Sequence, residues 1–230
     1  SSILVVGHAT SPFISFYSLS GGTLTKLPAP YTGISAESFG STWSPDGVYA
    51  VVVYTGNPFM TIYRRDGNAF LKVLGPGTAP TGRAEGAAWS AAGSFLAVAH
   101  WTAPYVTIYS QAGGVFTYLD ATDTDPTGLG FDVAFSPDAN YLAVAHTTTP
   151  FVTVYSRSGN VFTKLADPAD LPAGNANAAA WSPDQAFLAV AHVTTPFITI
   201  YQVSGTTFTK LSDPADLPPN DAYYCDWSPD

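Results

Sequence analysis

His8, Tyr54, His100, His146 and His192 stand 46 residues apart, and this column holds all four histidines of the chain. Imidazoles at equal spacing are suited to holding a metal or sensing pH. No carboxylate or second histidine follows at metal-ligand spacing, so no metal or other cofactor is expected. The column stands as a ligand-binding candidate, and a structural role in fixing a turn is its plainer reading. Two identical Asp-Pro-Ala-Asp-Leu-Pro segments begin at Asp167 and Asp213. They carry too few oxygen ligands at fixed spacing for a calcium loop and read as turns before proline. Cys225 aligns with Ser41, Ala87, Val133 and Ala179, as a small buried residue would. A nucleophilic thiol would need a neighbouring base and an electropositive setting.

The strongest binding signal is a stretch where the chain stops repeating itself. The aligned segments are Ala36-Glu37-Ser38-Phe39-Gly40, Gly82-Arg83-Ala84-Glu85-Gly86, Gly128-Leu129-Gly130-Phe131-Asp132, Gly174-Asn175-Ala176-Asn177-Ala178 and Asn220-Asp221-Ala222-Tyr223-Tyr224. From these, Phe39, Glu85, Phe131, Asp132, Asn175, Asn177, Tyr223 and Tyr224 are ligand-binding candidates. Trp101 joins them, because its equivalents are Ala9, Thr55, Thr147 and Val193. Aromatics beside amides and acids can stack on and hydrogen-bond a sugar. Drift in idle loops is the alternative reading of the same variation.

The elements that must position these residues follow from the period. Trp43, Trp89, Phe135, Trp181 and Trp227 recur every 46 residues, and the 230-residue chain holds five periods. A period of this size marks a repeat architecture. Within one repeat, FLAVAH (187–192), FITIYQ (197–202), TFTKLS (207–212) and AYYCDWS (222–228) read as four short strands. Pro, Gly and Asp separate them. Two or three of the four are apolar on both faces, as sheets stacked between neighbouring sheets must be. Lys26, Lys72, Lys164 and Lys210 form a column on the last strand, with Tyr118 in the remaining repeat. Lysine discourages edge pairing, which makes that strand the outer edge.

The expectation is a single all-β domain over 1–230. It is a five-bladed β-propeller with four antiparallel strands per blade, and an open β-solenoid is the alternative. The blades are 1–30 with 220–230, 37–76, 83–122, 129–168 and 175–214. The first three strands of one blade come from the N-terminus, and 222–228 supplies its inner strand and closes the ring. The variable segments and the His column then share one face.

Composition narrows the partners. The net charge is −9, so no nucleic acid is expected, since phosphate binding needs a basic patch. Charged residues make up 11%, against about 25% in typical domains. No apolar run approaches a membrane span, and Ser1–Ser11 reads as a strand with no basic leader region. A single cysteine leaves the redox compartment open.

Ser-Pro-Asp recurs at Ser44, Ser136, Ser182 and Ser228, each time just after the Trp or Phe, and the third repeat has Ser90-Ala91-Ala92-Gly93 instead. With the apolar strands that follow, this pattern resembles WD40 and YVTN-type propeller repeats over the whole chain. The Trp-Asp dipeptide of that family is absent, its place taken by Tyr17, Tyr63, Tyr109, Tyr155 and Tyr201, so the family's buried His–Asp network is not expected. The repeat wording is similar to tandem repeats in bacteriophage and metagenomic structural proteins. That resemblance implies a virion-associated or extracellular setting. The functional expectation is a non-catalytic module that binds a glycan or host-surface polysaccharide, as a lectin or adhesin does. The alternative is a structural propeller with a protein partner, or an engineered repeat. A lactonase or hydrolase would place metal or carboxylates in the central channel, where the inner strands offer Asp132 and Asp226.

Overall fold

The apolar, β-branched runs do form strands. The computed structural model describes every residue except 1, 31, 32, 74, 76, 121 and 230. Among the described residues there are nineteen strands and no helix. The first sheet has β1 (Ser2–Gly7), β2 (Ile14–Ser20) and β3 (Thr23–Lys26). The second has β4 (Ser38–Trp43), β5 (Tyr49–Tyr54), β6 (Met60–Asp66) and β7 (Ala69–Lys72). The third has β8 (Ala84–Trp89), β9 (Phe95–His100), β10 (Val106–Ala112) and β11 (Val115–Leu119). The fourth has β12 (Gly130–Phe135), β13 (Tyr141–His146), β14 (Val152–Ser158) and β15 (Val161–Lys164). The fifth has β16 (Ala176–Trp181), β17 (Phe187–His192), β18 (Ile198–Ser204) and β19 (Thr207–Lys210). Each sheet is an antiparallel meander in chain order with its last strand at the outer edge, and that strand bears Lys in four of the five sheets. The chain is a five-bladed β-propeller.

Packing between sheets holds the fold together. Among the described residues four apolar clusters form, one between each pair of consecutive sheets. Leu96, Leu142 and Leu188 are fully buried in them, each contributing roughly 1.5–3 kcal/mol. Aromatic contacts knit the layers, as where Phe16 stacks on Phe70 and Trp181 meets Phe208 edge-on. Tyrosines of β10, β14 and β18 reach back to the blade before. Tyr109, Tyr155 and Tyr201 donate to the carbonyls of Thr78, Thr124 and Asp170, at 2.7–3.0 Å.

The Ser-Pro-Asp element is a turn device. Ser136 Oγ donates to Asp138 Oδ1 (2.6 Å) and accepts from the Tyr141 N–H (2.9 Å). Ser182 and Asp184 repeat the arrangement. Asp167 and Asp213, in the Asp-Pro segments, pair with Lys164 and Lys210.

One expected detail differs. The first sheet has three strands, and 222–229 forms no ladder with β1. The C-terminal segment docks on the fifth sheet instead. The Trp227 indole N–H donates to the Ala180 carbonyl (3.1 Å) and the Ala222 N–H to the His192 carbonyl (3.3 Å). Trp181 makes the same bond to Ala134, so the segment holds the position of an inner strand without pairing as one. The ring is therefore not closed by hydrogen bonds at this seam.

Candidate functional site

Four inner strands begin with a break in register against the next strand. The breaks lie between Ser38 and Gly40, Ala84 and Gly86, Gly130 and Asp132, and Ala176 and Ala178. The residue passed over in each case is Phe39, Glu85, Phe131 or Asn177. A bulge re-aims its side chain, and here all four line one mouth of the central channel. Tyr223, one repeat further on, lies with them. The resulting cavity is about 540 Å³, a size that suits a small ligand.

Asp132 forms part of the cavity's inner wall. Gly40, Gly86, Ala178 and Tyr224 occupy its column in the other repeats. Its Oδ2 accepts from the Ala179 N–H at 3.1 Å. A methyl on Gly86 would lie 2.9 Å from Asp132 Oδ1 and 2.8 Å from the Phe131 carbonyl oxygen, so glycine there makes room for the carboxyl. Desolvation pushes the Asp132 carboxyl up to about 7, against the lowering effect of the Ala179 and Val133 N–H groups. Its proton affinity is thus raised into the neutral range. Burial also raises Glu85, with Arg83 opposing the shift and Glu37 adding to it.

A rigid outer wall flanks the mouth. Arg83 lies over both the Phe39 and Trp101 rings, 4.1 Å from each centroid. Its Nε pairs with Glu85 Oε1 at 2.5 Å. Trp101 in turn packs on Phe131, with centroids 5.8 Å apart. A guanidinium held between two aromatic faces and fixed by a carboxylate gives a pre-organised wall. Tyr223 and Tyr224 are exposed on the opposite side (74% and 73%). Asn177 Nδ2 donates to the Ala222 carbonyl (2.9 Å) and so anchors the segment that carries them.

Of the residues expected to bind ligand, Phe39, Glu85, Phe131, Asp132, Asn177, Tyr223 and Tyr224 come together, with Trp101 one layer out. Asn175 is exposed and does not line the cavity. Burial excludes four of the five residues of the His column, whereas His8 is half-buried. His100, His146 and His192 have no exposed surface and Tyr54 almost none. Each side chain bonds the residue seven places on, on the next strand of its sheet. His100 meets Thr107 (2.8 Å), His146 Thr153 (2.9 Å), His192 Thr199 (3.0 Å) and Tyr54 Thr61 (2.8 Å). His8 bonds Ser15 (3.1 Å) and the Thr10 carbonyl (2.7 Å). Desolvation holds His100 and His146 down at about 4, while bonds to turn carbonyls oppose the shift. They are neutral structural groups at physiological pH. Sequence reasoning missed Arg83 and the glycine clearance at Gly86. The small residues in the Asp132 column were the available signal for that clearance.

Deeper in the channel lie Trp43, Trp89, Phe135, Trp181, Cys225 and Asp226. Burial, with Asp132 nearby, pushes the Cys225 thiol up to about 12, so it is not a thiolate nucleophile. Among the described residues no group of His, Cys, Asp and Glu is arranged to hold a metal.

No family model matches the chain, and no curated protein does. Solved structures do match in shape. A Bacteroides uniformis protein named a "putative 6-phosphogluconolactonase" superposes with a TM-score of 0.69 at 17% identity, over 92% of this chain and 66% of its own. A Lactobacillus plantarum protein gives 0.67 at 21%, over 94% and 68%. Hydrazine synthase from Kuenenia stuttgartiensis gives 0.59 at 16%, over 83% and 51%. At these identities the likeness is one of fold. The chain spans about two thirds of the first two structures and half of the third. The expectation of a protein without catalytic activity is corrected here, since the Bacteroides uniformis propeller carries an enzyme's name. None of the three names is that of a lectin, an adhesin or a phage protein.

Proposed function

We propose that the channel mouth binds a neutral, polyhydroxylated ligand of sugar size, and that Asp132 exchanges a proton with it. The observation that carries this reading is a perturbed carboxyl in a cavity walled by Phe39, Phe131, Tyr223 and Tyr224. Aromatic faces stack on the C–H face of a sugar ring, and Asp132, Glu85 and Asn177 supply hydrogen bonds. Arg83 is the one cation of this wall and is already paired with Glu85, which argues against a phosphorylated ligand.

A sugar lactone fits the same chemistry. Ionised Asp132 would take a proton from water as the water oxygen attacks the ester carbonyl. The proton then passes to the departing ring oxygen, and lactone plus water gives the open hydroxy acid. A surface polysaccharide is the alternative source of the sugar. A protein-interaction role is the second reading, favoured by the exposure of Tyr223 and Tyr224.

The test is calorimetry against neutral oligosaccharides and unphosphorylated aldonolactones, with lactone hydrolysis followed in parallel. Binding is expected to weaken at least tenfold in Phe131→Ala. Any lactone turnover is expected to be lost in Asp132→Asn with binding retained. Failure of every sugar and lactone to bind the wild type would overturn the proposal and leave the protein-partner reading.

A further inference from the structure

The two ends of the blade series expose faces that are buried everywhere else. Leu4 and Val6 are 48% and 37% exposed, whereas their counterparts in each of the other four blades show no exposed surface. Leu24 is 55% exposed, and the phenylalanines of its column are buried. Leu4 and Leu24 flank β2 on the side that carries Tyr17. Tyr17 is partly exposed, and its phenol makes none of the bonds to a preceding blade that Tyr109, Tyr155 and Tyr201 make. At the other end, Ile200 is half-buried where Ile62, Ile108 and Val154 are buried, and Leu211 is 37% exposed. Four interfaces join five sheets, and the two unpartnered faces carry the two halves of a fifth.

We propose that a second copy of the chain covers these faces, head to tail. The first sheet of one copy packs on the fifth sheet and on 222–229 of the next. The interface is the inter-blade interface already formed four times within the chain, so its complementarity is built into the repeat. It also gives the open edge of β1 the inner strand it lacks, and removes an unpaired edge. Within the chain, 222–229 docks on the fifth sheet and forms no ladder with β1, which leaves the two end faces unjoined. In repeat register Tyr17 would donate to the carbonyl of Asp216 of the second copy, as Tyr201 does to Asp170 within the chain. Two different surfaces meet, so the association is heterologous and continues until it closes.

Sedimentation velocity over a hundredfold range of concentration tests this. The wild type is expected to shift from monomer to larger species as concentration rises. Leu4→Asp (head) and Ile200→Asp (tail) should each stay monomeric alone, and an equimolar mixture should give a species of two chains and no more. That mixed dimer also shows that both variants fold. Hydrogen exchange on the wild type supplies a readout free of mutation, with protection of the β1 amides expected to rise with concentration. A wild type that is monomeric throughout, with β1 protection independent of concentration, would overturn the proposal in favour of closure within one chain. A monomer with β1 unprotected throughout would overturn it as well.

Discussion

The buried histidines and the channel-mouth carboxyls are both desolvated, yet burial shifts them in opposite senses and gives them opposite uses. His100 and His146 recur in register, and the Nε2 of each meets a threonine hydroxyl one strand away. Burial keeps them neutral. Asp132 stands in a column of glycine, alanine and tyrosine, and its carboxyl retains an opening to the channel. Burial raises its proton affinity into the neutral range, where acid–base chemistry needs it. A perturbed pKa alone does not mark a site. Here perturbation together with a break in the repeat and access to a cavity separates a candidate site from framework.

The largest effect should come from breaking the framework side. His146→Ala leaves a cavity and strips Thr153 of its partner in a fully buried layer. It is expected to cost about 2–4 kcal/mol, read as a lowered chemical-denaturation midpoint with the slope unchanged. A midpoint within error of the wild type would show that the column is not structural.

The pH dependence sharpens the contrast. Between the ordinary value of 6.5 and about 4, the unfolded chain takes up protons that folded His100 and His146 refuse. Stability should therefore fall as pH drops through that window. Asp132 works in the other direction. From 3.8 to about 7 the folded carboxyl holds a proton that the unfolded one has lost, so its stabilising contribution fades as pH rises through that range. Asp132→Asn should melt higher than the wild type at pH 8, and the gap should close towards pH 4. An equal gap at both pH values would mean that Asp132 does not titrate there. The smallest effect is expected at Asn175→Ala, whose exposed side chain should change stability by less than about 0.5 kcal/mol and ligand affinity not at all.

Much of the site was legible before folding, because a repeat protein carries its own internal control. Columns that pack must repeat, so residues that refuse to repeat stand out, as Phe39, Glu85, Phe131 and Tyr223 do. Legibility ended at orientation. Asn175 and Asn177 sit two residues apart in the same variable stretch, and only the bulge between Ala176 and Ala178 turns Asn177 to the channel. Arg83 was visible in the sequence as a variable residue. Its place between two aromatic rings from separate blades was not, because that contact spans chain distances no period encodes.

By itself the sequence determined the fold class, the number of blades, the edge strand and the turn chemistry. All of these follow from local periodicity and from turn residues acting on their neighbours. The tertiary structure decided three things. It sent the histidines inward, turned the bulge residues and Asp132 to the channel, and left the first and fifth sheets unjoined. Each depends on the angle between stacked sheets and on the water that this angle admits or excludes, and a 46-residue period does not specify that angle.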